Sequence, residues 1–597
     1  MKKLALVLAV VMVLSLGLTA CGGSTSSTGT ASSAPAGSSS SGSASDAAPA
    51  YNPDALQVKA LDDNTLQVTL TARTPYFLEL TAFPAYAPVQ QATVEANGEA
   101  WAVDAATYIG NGPYKIAEWV PSSHITMVKN ENYWNVDSLA GPDTLQFTLM
   151  EDDAAQLTAF QSGELDFIDA VPNDEIDALS STPEFYKEGQ IGTYYVSYNT
   201  QAAPFDDPLV RQAFTLAVDR DYICKQIGKS GQIPAGAFVS EGLSDAAEGS
   251  SFREVGGDYY DPTAGANEAN LAKAKELLAE AGYPNGEGLP TITYLYNEGT
   301  GHQQIGEALQ QMWGQLGATV TLESQEWATF LNTRKNGDYQ VARNGWLGDY
   351  NDPISFLDMW ITGGGNNDAQ WSNAEFDSLI KQIKSSGDAE ARMEMMHQAE
   401  DIIFDEWMLC PIYYYVDIYM AQQNLENLST SPLGFKFFMN ASNGTDTLKV
   451  CTGPDPDTID PALNSAVDGG TMIDHAFEGL YTVAYGTTPT PGQAESVEIS
   501  EDGLTYTFHL REGLKWSDGT PLTAHDFVYS WQRAVDPATG ADYAYMFECI
   551  AGYTEAINGE EYVAPAADAS SASTSESAAE SVSASTSERD VTHVLVF

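Results

Sequence analysis

Among the residues able to do chemistry, the five cysteines come first, and one of them sits in a telling context. Cys21 follows Leu18-Thr19-Ala20, behind a short basic start (Lys2, Lys3) and an uncharged apolar run over residues 4–18. This is the pattern of a secretory signal (1–20) ending in a lipobox, where cleavage before Cys21 leaves a thiol that takes diacylglycerol. The apolar run falls short of the ~20 residues that a spanning helix needs. The expected attachment is therefore an acyl anchor at the membrane surface, on the outer face of the cytoplasmic membrane. Cys224, Cys410, Cys451 and Cys549 remain. In an exported chain they leave two possibilities open, up to two disulfides or four buried thiols, and without a CxxC spacing they suggest neither zinc nor dithiol redox chemistry.

Other constellations are sparse. There is no GxSxG and no HExxH, and Gly228-Lys229-Ser230 lacks the upstream glycine of a phosphate-binding loop. The seven histidines are scattered singly. The pairs Asp62-Asp63, Asp152-Asp153 and Asp206-Asp207 are sequence neighbours, which suits turns and caps better than acid–base dyads. The pattern favours a binding protein over an enzyme, with no cofactor and no metal. With 26 basic against 82 acidic residues, the formal net charge is −56. That excludes nucleic acid as a general partner, since no basic surface exists to displace its counterions. The acidity reads as a solvated surface, and no EF-hand spacing points to calcium.

The elements that must position a site are those of an α/β protein. Thr291 to Tyr296 has strand composition, Ile305, Leu309, Met312, Trp313 and Leu316 recur at helical spacing before Gly317, and Ala318 to Leu322 is a second strand. That is a βαβ unit with an expected parallel pair. Leu271, Ala274, Leu277, Leu278 and Ala281 mark another helix. Thr523 with Asp526 predicts a capped helix whose apolar stripe is Phe527, Trp531 and Ala534. Residues 504–510 alternate as a strand. Residues 21–50 and 561–597 are Ser/Ala-rich and read as a tether and a low-complexity tail.

Several blocks carry a specific likeness. Gly110-Asn-Gly-Pro-Tyr-Lys115, Asn130-Glu-Asn-Tyr-Trp134, Gly163-Glu-Leu-Asp-Phe167, Val210-Arg-Gln-Ala-Phe-Thr-Leu-Ala-Val-Asp-Arg220 and Gly345-Trp-Leu-Gly-Asp-Tyr-Asn-Asp-Pro353 occur in that order. A second group comprises Asp457-Thr-Ile-Asp-Pro461, Phe477-Glu-Gly-Leu480, Lys515-Trp-Ser-Asp-Gly-Thr-Pro521 and Ala524-His-Asp-Phe-Val-Tyr-Ser-Trp531. Together they resemble the bacterial extracellular solute-binding proteins of family 5, most of all the oligopeptide-binding members. The resemblance implies a two-lobed, type II periplasmic-binding-protein-like α/β fold with an additional domain. It implies a monomer that captures oligopeptides for the permease and ATPase subunits of an ABC importer, while peptide sensing without import, or capture of dipeptides or oligosaccharides, are alternatives. The order departs from the family's. Residues 441–560 resemble its opening region and residues 51–440 its central and C-terminal lobes, so the lobes arrive in permuted order. A true permutant, recombination between gene copies and a misassembled gene sequence all account for this, with the last two favoured by the interchangeable low-complexity sequence at both breaks.

The resemblance also implies site residues. Asp349 matches the position that binds a peptide's amino end, although on residue type alone it starts a turn before Asn351-Asp352-Pro353. His302, Arg334 and Arg343 match alternative basic groups for the carboxyl end, with ordinary surface pairing as the other reading of each. Tyr543, Tyr415 and Asn199 match positions that line the peptide or hold its backbone, and Trp346 matches a pocket wall. Val467 matches a strand that pairs with the peptide, although a nearby family acid aligns with Ser465.

Overall fold

The βαβ unit expected around residue 300 forms the edge of the larger sheet. The computed structural model describes residues 50–564, apart from Glu248 and residues 485–487. The leader, Cys21, the tether up to residue 49 and the tail from residue 565 lie outside the described residues. In chain order, the elements that build the site are β1 (Thr144–Thr148), β2 (Phe185–Tyr198), β3 (Ile292–Asn297), α1 (Thr300–Gly314), β4 (Val320–Gln325) and α2 (Trp327–Lys335). They continue with β5 (Val341–Leu347), β6 (Leu409–Ala421), β7 (Thr447–Cys451) and α3 (Val467–Ala476).

Strands β3 and β4 pair in parallel from Ile292↔Val320 to Asn297↔Gln325. Helix α1 buries Ile305, Leu309 and Trp313 against them, which is the face its sequence period predicts. Gly317 follows with φ +87°, and a Cβ there would come 2.0 Å from the Asn285 carbonyl oxygen, so the turn admits only glycine.

The larger sheet has 11 strands and is mixed. Its middle is formed by the two longest strands, β2 and β6, which run antiparallel with register shifts between Pro411 and Tyr413 and between Tyr414 and Val416. Such bulges bend and twist a ladder. On one side lie β5, β3 and β4, and on the other Phe167–Ile168, β7, β1, His124–Lys129 and Tyr114–Val120. Two α/β lobes thus share a pair of long strands. An additional antiparallel sheet of four strands (Val58–Asp62, Thr65–Thr69, Thr505–Leu510, Ala494–Ile499) packs beside helix Ala524–Val535. That helix opens with the anticipated capping box, Thr523 with Asp526, and buries Phe527, Trp531 and Ala534.

The late segment is needed by both sheets. Strand β7 lies between β1 and Phe167–Ile168, parallel to each. Thr505–Leu510 pairs with Thr65–Thr69. Cys224, Cys410, Cys451 and Cys549 are buried free thiols, which decides between the two cysteine readings. Burial pushes the Cys224, Cys451 and Cys549 thiols up to about 12, so none is a ready nucleophile at neutral pH. No described helix is long and apolar enough to cross a membrane.

Two neighbourhoods bear on chain order. Asn52 Nδ2 donates to the Glu560 carbonyl at 2.6 Å, and a Cβ on Gly559 would come 2.1 Å from the Ala50 carbonyl oxygen. The turn at Gly444, φ +80°, is exposed. A variant chain linked from Glu560 to Tyr51 and opened at Gly444 keeps nearly every contact, because connectivity changes only at two surface points. Its unfolding free energy in urea is expected within about 1–2 kcal/mol of the parent's, the scale of one altered loop closure. Loss of cooperative unfolding would show that the present connectivity is itself required.

Candidate functional site

Strand β5 alternates between the core and a cavity. Ala342 and Asn344 are buried on one face, while Arg343, Gly345 and Leu347 are half-buried on the other and line a cavity of about 520 Å³, which Trp346 also reaches. That volume lies within the range of small-ligand sites. Eight of the nine expected ligand residues line it: Trp346, Asp349, Tyr543, Tyr415, Val467, His302, Arg334 and Arg343.

Asp349 lies just beyond the strand, where the turn's cap is supplied by another residue. Asp352 accepts from the Ile354 N–H at 3.1 Å and pairs with both terminal nitrogens of Arg392 at 2.7 and 2.8 Å. Asp349 is left with hydroxyl partners only. Tyr543 Oη donates to its Oδ1 at 3.0 Å, and Ser355 Oγ donates to its Oδ2 at 3.4 Å. Its own N–H donates to Ser355 Oγ at 2.8 Å. Burial, opposed by the Tyr543 hydrogen bond, pushes its carboxyl well above the usual carboxylate range. Tyr543 is itself held by Phe83, edge-on at 5.0 Å, and by Trp346 at 6.3 Å. Trp346 Nε1 donates to the Ser355 carbonyl at 2.8 Å, fixing the wall that carries Asp349.

The three basic candidates separate sharply. Arg334 is paired with Asp368 at 2.6 Å and is 9 % exposed. His302 meets Tyr194 Oη through Nδ1 at 3.2 Å, and burial together with the Arg343 charge pushes its imidazole well below its usual value. It is therefore neutral at pH 7. Arg343 lies over the rings of Tyr194 at 5.3 Å and Trp327 at 6.0 Å, and its Nε has no hydrogen-bond partner. Among the described residues it forms no ion pair with a carboxylate. Asp349 lies six positions beyond Arg343 along mostly extended backbone, at most about 20 Å away.

Two expectations need correction. Asn199 does not line the cavity. Its Nδ2 donates to the Gly337 and Tyr339 carbonyls at 2.8 and 3.0 Å and its Oδ1 accepts from the Gln201 N–H at 2.9 Å, so it fastens the turn before β5. Val467 is not on a strand. Ala466 is extended, but Val467 opens helix α3 and lines the cavity from its first turn. Lys436 was not anticipated. It lines the cavity, paired with Asp417 at 2.8 Å and Asp169 at 3.3 Å, and the scarcity of basic residues was the signal that could have flagged it.

Comparison with known proteins bears on what such a cleft is for. The family model described as bacterial extracellular solute-binding proteins, family 5 Middle, matches residues 27–368 and 488–587. The chain belongs to this family. A dipeptide-binding protein, DppE of Bacillus subtilis, is 37% identical over 385 residues, 64% of this chain and 69% of the relative. Among solved structures, Haemophilus influenzae OppA in complex with the peptide RPPGFSPFR superposes with a TM-score of 0.59 at 28% identity, covering 64% of this chain and 74% of that one. The substrate-binding domain of an oligopeptide ABC transporter from Bacillus anthracis gives a TM-score of 0.59 at 26% identity, covering 65% and 74%.

The Asp349 environment sets a pH dependence. A carboxyl whose folded pKa lies above its unfolded value binds protons more readily in the folded state, so it lowers stability as pH rises above about 4. Asp349→Asn keeps the acceptor for Tyr543 and removes the charge. The ligand-free variant is expected to melt above the parent at pH 7, with the gap closing as pH falls towards 4. An equal or lower melting temperature at pH 7 contradicts this account.

Proposed function

We propose that this family member captures short oligopeptides between its two lobes, outside the cytoplasmic membrane, as the binding component of an ABC importer. The observation that carries the reading is the pair Asp349 and Arg343. They are opposite charges on one strand and its extension, both facing one cavity and neither matched by an opposite charge among the described residues. An extended peptide with free ends presents the complementary charges, and each would form a charge-assisted hydrogen bond in a dry site. At about 3.5 Å per extended residue, a separation of up to about 20 Å leaves room for peptides of about three to five residues. Tyr415, Tyr543 and Trp346 offer apolar faces and polar tips to side chains of varied type. His302 and Arg334 are secondary partners for a carboxylate that reaches further along the wall.

The relatives support this reading, since they are named as dipeptide- and oligopeptide-binding proteins and as the substrate-binding domain of an oligopeptide ABC transporter. We assign the chain no catalytic step. It acts as a monomer, held to the membrane through diacylglycerol on Cys21, and delivers its ligand to permease and ATPase subunits. The chain order belongs to the same proposal, with residues 441–560 filling the place of the family's opening region. The proximity of Ala50 to Gly559 supports that assignment.

Asp349→Ala leaves a peptide ammonium buried without its partner. Its affinity for tri- to pentapeptides is expected to fall by about 30-fold to several thousandfold, the range for truncating one member of a buried charge pair. Isothermal calorimetry on the folded variant reads this directly. An unchanged dissociation constant removes Asp349 from the site.

A further inference from the structure

One wall of the cavity has no role in holding peptide ends. It is assembled from both lobes: Glu151 and Gln156 after β1, Thr452 after β7, Asp468 in the first turn of α3, and Asn297 and Glu298 at the end of β3. The Met150 N–H donates to the Gly453 carbonyl at 3.0 Å, and a Cβ on Gly453 would lie 3.8 Å from the Asp468 Cβ, so the first three loops adjoin.

What these residues present is oxygen. Gln156 Oε1, Asn297 Oδ1 and Thr452 Oγ1 are buried without a hydrogen-bond partner, as are one oxygen of Glu151 and one of Asp468, while Trp327 donates to these two carboxylates through its backbone N–H and its indole respectively. Gln156 is 2 % exposed and Asn297 9 %. Their amide nitrogens are already used, Gln156 Nε2 on the Met150 carbonyl at 2.9 Å and Asn297 Nδ2 on the Glu298 carbonyl at 3.1 Å. That leaves the amide oxygens for the cavity. None of the cations lining the cavity serves the carboxylates of this wall. Lys436 pairs with Asp417 and Asp169, Arg334 pairs with Asp368, and Arg343 lies on aromatic rings. Burial and the nearby charges of Glu298 and Glu326 raise Glu151 to about 7, and burial raises Asp468 to about 6.

Carboxylates and amide oxygens can only accept, so the group that satisfies them must bring several donors and a positive charge. Among the described residues, no three His, Cys, Asp or Glu side chains are grouped as metal ligands. An ammonium with three donors or a guanidinium with five fits the arrangement better than a bare ion. We propose that this acceptor-lined wall is a pocket for a lysine or arginine side chain of the bound peptide, which makes the protein selective for cationic peptides. The inference rests on the peptide-binding reading above. The formal net charge of −56 would add a long-range attraction for the same ligands.

The test is calorimetry on the full chain with tetra-alanine, four peptides carrying one lysine in place of each alanine in turn, and four carrying norleucine. At one position lysine should bind about tenfold or more tightly than norleucine, a difference of about 1.4 kcal/mol. In Glu151→Gln with Asp468→Asn, that ratio should fall to within about twofold of unity, the range left when the charged acceptors are gone. Glu298→Gln, on the other lobe, should lower it independently, and circular dichroism confirms that each variant is folded. A lysine preference absent at every position, or surviving in the variants, overturns the pocket. So does calcium or magnesium binding alone that disappears in the same variants, which would make the wall a metal site. If tetra-alanine itself does not bind, the peptide reading fails and the pocket with it. If tetra-alanine binds without any lysine preference, only the pocket fails.

Discussion

A charge removed from water is tolerated only when something nearby answers it. Away from the cleft the protein obeys this closely. Glu400, fully buried, takes both terminal nitrogens of Arg253 at 2.8 and 2.9 Å and two backbone N–H groups. Asp352 holds Arg392, and Asp460 holds Arg533 together with the Trp101 indole. In the cleft the rule is suspended. Asp349 has hydroxyls where an ammonium would serve better, and Arg343 has aromatic faces where a carboxylate would. Both of these charges face the same cavity, and their pairing across it is the physical basis for the reading of its ligand.

The fold supports that imbalance at long range in sequence. Strand β5 fixes the distance between the two charges, and β2 and β6 carry the sheet across both lobes. Tyr543, which reaches Asp349, comes from the late segment of the chain, 194 residues away. The same late segment inserts β7 into the large sheet and supplies two strands of the small one. Residues 441–560 are thus structurally interior to residues 51–440, whatever their place in the chain. The adjacent ends at Ala50 and Gly559 make either order compatible with one body.

Much of this was legible in the sequence where the signal is local. The βαβ unit, the capping box at Thr523 and the buried stripe of Phe527, Trp531 and Ala534 follow from periodicity and cap chemistry alone. Asp349 needed the family resemblance, because residue type gives an aspartate before Asn351-Asp352-Pro353 the same turn role that Asp352 in fact performs. Asn199 and Val467 show the limit of carrying positions across. Matching a position does not tell which way an amide turns or where a helix begins. The acceptor wall was illegible for a different reason. Glu151, Asn297 and Asp468 lie far apart in sequence and meet only once both lobes are folded. Whether the buried thiols pair was equally closed to sequence, since spacing carries no information about which cysteines approach.

The most direct test of the central claim is mass spectrometry of whatever the protein carries when it is purified without refolding and then denatured. The uncompensated charges of the cleft predict uncleaved peptides of about three to five residues with free amino and carboxyl ends, about one per chain. Recovery of an oligosaccharide, a metal chelate or peptides blocked at their ends would contradict it.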